Sequence, residues 1–465
     1  MVGMTLALLS LAQFLIALDY SIIFIALPSV AAELHLATAT AQWVVSAYAV
    51  LFAGFLVVGG RLTDRVGAKP LFVVAIAGFG LASAAGGLAE GGGLLLAARA
   101  AQGLGAALLQ PAVLGLIGTT FPAGPARSRA LVVWGSVGAS GLAAGAILGG
   151  LLTAVSWRLT FMINVPLTLL CALGAVIWFA PTRDRSTTRI PVGASILGTG
   201  AVLALVLGLT LAAEQGWSAA LTIVSLVLGV VLLAAFIRTE RTSTAVLIEP
   251  VLRRISSLRT GALATALYMA SVGAEFYLLT LLLQAMKGYT PVEAGLAFLP
   301  LAVMVTAGNT AAGRAARSFG ARASLAAGFA FATVGLVWIA LALQGDSYVL
   351  HLLPGILLSG FGHGVIYTSM FTIGTSDVPA AHQGTAGALL TTSQYLSGAM
   401  TVAVLTLALG SAPGHGNFQV AFLITAAAAA GGLALSMRGI LVRSGGPSHR
   451  PGRGVGPDPR GSRAL

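Results

Sequence analysis

Long apolar runs make up most of the chain, and short clusters of charged residues, glycine or proline separate them. The runs reach about 20 residues, the length that an α-helix needs to cross the hydrocarbon core of a bilayer. They are continuously apolar rather than alternating, which favours membrane-spanning helices over the strands of a β-barrel. The pattern predicts an all-α membrane protein with 14 transmembrane helices. These spans are 4–28, 40–60, 70–89, 92–118, 129–153, 159–180, 192–213, 217–238, 260–284, 291–311, 322–343, 349–373, 384–410 and 416–438.

Composition excludes several classes of protein. Hydrophobic residues are 57% of the 465 residues and charged residues only 8%, whereas soluble domains carry roughly 25% charged residues. A soluble enzyme, a disordered chain and a disulfide scaffold are therefore excluded, and the single cysteine, Cys171, cannot form an intramolecular disulfide. The sequence has no P-loop, no zinc-protease or serine-hydrolase motif and no zinc-site spacing, so we expect no enzyme activity, cofactor or metal.

The basic residues predict the orientation of the spans. All but three of the 25 lysines and arginines lie at the ends of the spans that share one side with both termini; the exceptions are Arg99, Arg158 and Lys287. Because basic residues concentrate on the cytoplasmic side, both termini are predicted to be cytoplasmic in a multi-pass protein of the plasma membrane. The net charge of +12 is therefore interpreted as a topology signal and not as a nucleic-acid-binding surface. The segment 441–465 is predicted to be a disordered basic tail.

An internal repeat divides the spans into two sets. Segments 60–69 (GRLTDRVGAK) and 313–322 (GRAARSFGAR) share their Gly-Arg start, a second glycine and a final basic residue. They follow the second and the tenth span, which predicts two six-helix halves with two inserted central helices. The expected divisions are 1–181 and 259–440 for the halves, and 182–258 for the inserted helices and their connector. Such repeats are typical of secondary transporters, whose substrate site lies near the midplane between the halves.

Several motifs resemble those of the major facilitator superfamily, and specifically its fourteen-span drug:proton antiporters of the EmrB/QacA type. The resemblance covers nearly the whole chain. The motifs are segment 60–69, residues 18–28 of the first span, 95–105 of the fourth, 157–166 at the start of the sixth, and 288–300 around the start of the tenth.

The resemblance implies a secondary transporter that exports small, mainly hydrophobic compounds in exchange for protons by alternating access. The expected partners are the substrate, protons and the lipid bilayer, and a monomer is expected. A proton-coupled symporter that imports a metabolite is the alternative, and a non-transporting membrane sensor is a remote one. The export mechanism places a cavity between the halves, lined by the first, fourth and ninth spans.

Three ionisable residues inside predicted spans are candidates for proton coupling. Asp19, Arg99 and Glu275 lie at similar depths in the first, fourth and ninth spans. Placing such a group mid-membrane costs at least roughly 2.5–3.5 kcal/mol, and these groups usually serve ion or proton paths. A purely structural Asp19–Arg99 pair remains an alternative, and Glu275 is equally compatible with a water-filled vestibule.

Segment 60–69 is the candidate conformational latch, by resemblance to the family. Gly67 allows a tight turn, and Asp64 can face a helix N-terminus, where negative charge is favoured. In the second copy Ala316 replaces a polar residue and Arg317 stands in place of the acid, which predicts a weaker or absent second latch. The residues assigned to the latch are Gly60, Arg61, Asp64, Arg65, Gly67 and Lys69.

Two further groups complete the candidate residues. Gly141, Gly145 and Gly149, with Gly150, predict a glycine ridge on the fifth span that permits close helix contact. Related antiporters carry proline after the middle glycine, where this chain has Ala146, and this departure keeps symport open. Residues assigned to a possible cavity lining are Gln102, His363 and Gln394.

Overall fold

Every regular element that the structure describes is helical. The computed structural model describes residues 2–36, 38–180, 191–243, 246–345, 347–410 and 414–444. The predicted disordered tail begins too early, because residues 441–444 are helical and continue the last helix. The rest of the predicted tail, from position 445 onward, and segment 181–190 lie outside the described residues. Among the described residues, thirteen helices are long and apolar enough to cross a membrane.

The helices follow one another with short connections. They are α1 (Val2–Glu33), α2 (Thr38–Val66), α3 (Ala68–Gly87), α4 (Gly92–Thr120), α5 (Pro125–Val155), α6 (Arg158–Met162), α7 (Asn164–Trp178), α8 (Val192–Gln215), α9 (Ala220–Thr242), α10 (Pro250–Arg254), α11 (Ser256–Tyr268), α12 (Ala274–Leu281), α13 (Pro291–Ala297), α14 (Leu299–Phe319), α15 (Ala321–Ala342), α16 (Leu353–Thr375), α17 (Gln383–Leu409) and α18 (His415–Ser444). Three π-helical segments, Met269–Gly273, Leu282–Met286 and Tyr348–Leu352, and a 3₁₀ turn, Ala380–His382, complete them.

Two segments left between predicted spans, 61–69 and 312–321, are helical except at one glycine each, because hydropathy measures apolarity and not helicity. α2 continues through Val66 and α3 begins at Ala68, whereas α14 continues through Phe319 and α15 begins at Ala321. Arginine, leucine, alanine and lysine are good helix formers, so the helix continues beyond its apolar stretch. Gly67 alone makes the turn, with a φ of 107°, and Gly320 makes the same turn between α14 and α15, with a φ of 88°. Both conformations favour glycine.

The helices pack in a recurring pattern. α1 packs against α5, α2 and α3 against α4, and α3 against α7; in the later part α11 packs against α17, α14 and α15 against α16, and α15 against α18. Contacts between these two groups are made by α2 and α4 with α17, and by α5 with α13, α14 and α16. α8 packs on both α2 and α17, and α9 packs on α8. We call the end of the bundle with the turns at Gly67 and Gly320 the basic end.

The glycine ridge of α5 lies against α1, except for its last member. A Cβ at Gly141 would lie 2.6 Å from the Phe14 carbonyl oxygen, and one at Gly145 would lie 2.9 Å from the Leu18 carbonyl oxygen. At Gly149 it would lie 3.1 Å from Ile25 Cβ, whereas at Gly150 it would meet nothing within 4 Å. The first three glycines therefore allow the backbones of α1 and α5 to approach closely.

This packing predicts that Gly141→Ala lowers the stability of the protein and that Gly150→Ala does not. The added methyl group at 141 meets backbone atoms of α1 that cannot move aside locally, and such overpacking typically costs about 1–3 kcal/mol. At 150 the methyl group has room and alanine is the better helix former. Thermal unfolding in detergent, followed by fluorescence-detected gel filtration, measures both variants. Equal melting temperatures for the two would contradict the assignment.

Candidate functional site

A buried ion pair joins α1 to α4. Asp19 and Arg99 are each 1% exposed, and Arg99 Nη1 lies 2.8 Å from Asp19 Oδ2. Arginine stays charged at any accessible pH, and an uncompensated charge in an apolar interior is very costly. The carboxylate of Asp19 therefore offsets the free-energy cost of burying the charged guanidinium of Arg99.

Neutral polar side chains of α3, α4 and α7 surround the ion pair and hydrogen-bond to it or to one another. Gln102 Nε2 donates to Asp19 Oδ1 at 2.9 Å and to Ser83 Oγ at 2.8 Å. Asn164 Nδ2 donates to Asp19 Oδ1 at 2.8 Å. Gln102 is thus fully buried inside the cluster, where its amide contacts Asp19, Ser83 and Arg99; its place in a cavity lining stays a prediction. Ser83 and Asn164 were not assigned from the sequence.

Arg99 also connects this cluster to α2. Its Nε donates to the Val44 carbonyl oxygen at 2.8 Å, and its Cζ lies 4.5 Å from the centroid of the Tyr48 ring. A guanidinium over an aromatic face is attracted by the ring quadrupole. Tyr48 therefore lies between the ion pair and the aromatic residues of the interior.

A row of aromatic rings runs from α1 across α2 to α17. Ring centroids are 5.6 Å apart for Phe24 and Tyr20, 6.5 Å for Tyr20 and Tyr48, and 5.8 Å for Tyr48 and Phe52. Phe52 meets Tyr395 edge to face at 4.6 Å. The row thus bridges the two groups of helices. Gln394, predicted as cavity-lining, is half-buried next to Tyr395 in the sequence.

A second aromatic group lies on α5, α11, α12 and α16. Trp134 stacks on Tyr367 at 5.6 Å, and Tyr367 lies 5.7 Å from Tyr268. Tyr268 is hydrogen-bonded through its hydroxyl to His363 Nε2, and Phe276 lies 6.0 Å from the His363 ring. The predicted cavity residue His363 is therefore held within an aromatic cluster.

Several buried polar atoms of these aromatic groups have no hydrogen-bond partner among the described residues. They are Tyr48 Oη, Trp134 Nε1 and His363 Nδ1. A buried donor or acceptor without a partner costs about 1–3 kcal/mol. These atoms are therefore suited to a hydrogen-bonding guest.

Glu275 lies apart from the Asp19–Arg99 pair. It is fully buried on α12, directly after the π-helical segment Met269–Gly273, and Ser359 Oγ on α16 donates to its Oε1 at 2.6 Å. Its other oxygen, Oε2, has no partner within the described part of the chain. The structure thus places the third predicted proton-coupling residue in a separate polar cluster among the later helices.

Asp64 lies at the N-terminus of α17. Its two oxygens accept hydrogen bonds from the backbone N–H groups of Gly384 and Thr385, each at 2.9 Å. These amides have no partner within their own helix, and negative charge is favoured there. A Cβ at Gly60 would lie 2.6 Å from Ala388 Cβ, so glycine allows α2 to reach α17. The contact holds α2 against α17 at the basic end. We call this boundary between the two helices the α2–α17 seam.

The other latch residues have different partners. Lys69 Nζ donates to the carbonyl oxygens of Val176, at 3.0 Å, and Phe179, at 2.7 Å, at the C-terminus of α7. Arg61 does not pair with Asp64 but lies with its Nη1 2.6 Å from Glu249 Oε1. Arg65 is exposed. Glu249 was not assigned from the sequence because it lies 188 residues from Arg61.

Comparison with known proteins identifies relatives over most of the chain. The family profile described as Major Facilitator Superfamily matches residues 9–194 and 192–402. The cephamycin export protein CmcT of Amycolatopsis lactamdurans is 37% identical over 411 residues, which cover 87% of this chain and 85% of CmcT. The puromycin resistance protein pur8 of Streptomyces alboniger is 37% identical over 85% of this chain and 79% of its own length.

Solved structures share the fold at low sequence identity. The human organic anion transporter MFSD10 superposes with a TM-score of 0.70 at 16% identity, over 94% of this chain and 99% of that chain. The proton:xylose symporter XylE superposes with a TM-score of 0.68 at 12% identity, over 94% and 95% of the two chains.

The buried pair predicts how stability responds to the loss of one or both charges. Asp19→Asn leaves Arg99 charged without its counter-ion, and removing one partner of a buried pair typically costs about 3–5 kcal/mol. The double variant Asp19→Asn/Arg99→Gln removes both charges, so we expect it to regain most of that loss. Melting temperatures in detergent measure the three proteins. A double variant less stable than Asp19→Asn would show that the pair does not act as a unit.

Proposed function

Because the chain belongs to the major facilitator superfamily, it is a multi-pass membrane transporter and not an enzyme, and we propose that it exports small, mainly hydrophobic compounds from the cell in exchange for protons. The observation that carries the proton role is the buried Asp19–Arg99 ion pair in the first group of helices. Export is supported by the relatives at 37% identity, whose names refer to antibiotic export and resistance. The expected location of the protein is the plasma membrane.

The proposed architecture has fourteen spans in two six-helix halves, residues 1–181 and 259–440, with two inserted spans and a connector at 182–258. Counting the 31-residue helix α5 with the thirteen candidate spans supports fourteen. The recurring packing pattern and the matching turns at Gly67 and Gly320 support two related halves. A monomer is proposed because the two halves enclose the transport path themselves.

The basic end of the bundle is proposed to be cytoplasmic, with both termini on that side. This orientation follows from the distribution of lysine and arginine. The capping of α17 by Asp64 and the contact of Gly60 with α17 then describe a transporter whose cytoplasmic seam between α2 and α17 is closed.

Protonation of Asp19 is the proposed coupling step. A proton that neutralises Asp19 weakens its attraction to Arg99 and changes the hydrogen bonds of Gln102 and Asn164. The altered network favours the other conformation of the transporter. One proton moving inward contributes roughly 2.3 kcal/mol per 100 mV, enough for a gradient of about 50-fold in a neutral substrate. Glu275 is proposed as a second proton or substrate contact.

The aromatic residues are the proposed substrate contacts. Tyr20, Tyr48, Tyr268, Tyr367 and Tyr395 come from both halves and present ring faces and hydroxyl groups. The carboxylate of Asp19 pairs with Arg99, and Ser359 donates to one oxygen of Glu275. This environment favours uncharged aromatic compounds with hydrogen-bonding substituents, because stacking and unpaired polar atoms are available there.

Transport should depend on Asp19. In everted vesicles with an acidic interior, a transported compound should release protons and restore the fluorescence of a pH probe. Asp19→Asn should abolish this response, because asparagine cannot bind and release the proton. Glu90→Gln, which removes an exposed carboxyl group, should respond like the wild type at equal protein level. Normal proton-coupled export by Asp19→Asn would refute the role.

Tyr395 should set the affinity for aromatic substrates. Tyr395→Ala removes a ring that contacts the opposite half, and an aromatic contact is worth roughly 0.5–1.5 kcal/mol, so KM should rise several-fold with little change in maximal rate. Tyr395→Phe keeps the ring and is the matched control. The concentration dependence of proton release gives both constants. An unchanged KM in Tyr395→Ala would place the substrate elsewhere.

A further inference from the structure

Side-chain contacts hold residues 247–253, which lead into α11, against the end of α9. Glu240, at the end of α9, accepts hydrogen bonds from the backbone N–H groups of Leu247, at 2.5 Å, and Ile248, at 3.1 Å. Arg253 on α10 forms an ion pair with Glu240 and donates to the Ile248 carbonyl oxygen at 2.9 Å. The residue that follows Ile248, Glu249, is therefore held in a defined position relative to α9.

Glu249 joins the two halves of the bundle at the basic end. Its Oε1 lies 2.6 Å from Arg61 Nη1 on α2, and its Oε2 lies 3.3 Å from His382 Nε2, directly before α17. The side chains of Arg61, Glu249 and His382 are 2%, 14% and 15% exposed. One carboxylate thus bridges the same two helices that Asp64 connects, and the shielded position strengthens the charge interaction with Arg61.

The inserted helix α8 follows this seam through the interior. Val206 packs in one cluster with Val50 and Ala53 of α2 and with Tyr395 and Leu396 of α17. Farther along α8, Ser46 Oγ of α2 donates to Glu214 Oε1 at 2.9 Å. Of the inserted helices, α8 therefore contacts both halves inside the bundle, and Glu249 of the connector contacts both at the basic end.

The boundary between α5 and the α14–α16 region is the second contact between the halves at the basic end, and it lacks a comparable acidic contact among the described residues. Among the described residues, α5 begins at Pro125 without a side-chain hydrogen bond to its N-terminus. A crevice of about 380 Å³ lies between α5 and the α14–α16 region, lined among others by Arg127, Ser128 and Arg317. Arg317 occupies the repeat position of Asp64. The described acidic contacts across the basic end therefore lie on the side of α2 and α17.

We propose that Glu249 is a positioning residue for the conformational cycle, because it ties α2 to the start of α17 through Arg61 and His382. The inserted helices and their connector hold Glu249 in this position. We call this pair of contacts the brace. Opening the α2–α17 seam separates Arg61 from His382, so Glu249 must release one of them. The brace therefore stabilises the state in which the basic end is closed. This inference rests on the proposed alternating-access transport, but it concerns the conformational equilibrium and not the substrate.

The test measures access to the seam without any substrate. Thr385, fully buried at the start of α17, is replaced by cysteine in a Cys171→Ser background, which leaves one thiol in the chain. Everted vesicles expose the basic end to a membrane-impermeant maleimide. Glu249→Gln should increase the labelling rate about tenfold, since it removes the charge that pairs with Arg61. Glu249→Asp, which keeps the charge, should restore part of the protection.

Controls separate a brace from general damage. Glu33→Gln removes the acidic partner of Arg158 in a more exposed ion pair at the other end of the bundle and should leave labelling unchanged. The charge-swapped pair Arg61→Glu/Glu249→Arg should label more slowly than either single variant. Labelling by Glu249→Gln at the wild-type rate would overturn the proposal, and so would equal acceleration by Glu33→Gln. If the wild type transports no compound but Glu249→Gln is still labelled faster, the export function is refuted and the brace remains supported.

Discussion

The guanidinium of Arg99 is a permanent charge in the apolar interior, and the first group of helices is arranged around its neutralisation. Asp19 supplies the opposite charge from α1, Val44 supplies a carbonyl oxygen from α2, and Gln102 supplies an amide from α4. Asn164 of α7 donates a further hydrogen bond to Asp19, and Ser83 of α3 accepts one from Gln102. A cluster that draws on five helices fixes their relative positions, so a change in the charge of Asp19 reaches all of them at once.

The fold was largely predictable because lipid exposure demands long apolar helices, and their positions are visible in hydropathy alone. The ends of the helices were less predictable. Charged residues such as Arg61 and Lys69 interrupt the apolar pattern without interrupting the helix, so α2 ends later and α3 begins earlier than the apolar pattern predicts. The π-helical segment before Glu275 left no sign in the apolar pattern either, because its residues are as apolar as those of an ordinary span.

The candidate site was predictable where a charge interrupts an apolar run. Asp19, Arg99 and Glu275 are conspicuous for that reason, and the pairing of the first two follows from their similar depth. Ser83 and Asn164 gave no such signal, because neutral polar residues are common in membrane helices. The partner of Arg61 could not be found from the pattern, since Glu249 lies in a polar connector far away in the sequence and only the folded chain brings them together.

The turn at Gly67 separates two charges that act on opposite helix ends. Lys69 holds the negative end of α7, a helix that packs with α1 and α3, whereas Asp64 holds the positive end of α17. Lys69 thus ties the segment to α7, while Asp64 contacts α17 beside the Arg61–Glu249 pair. When α17 moves away, the segment need not refold. Asp64, Gly384 and Thr385 are buried in this contact, and its opening would expose the carboxylate and the two amides to water. Hydration would then replace part of what the contact supplied, which lowers the energy that opening costs.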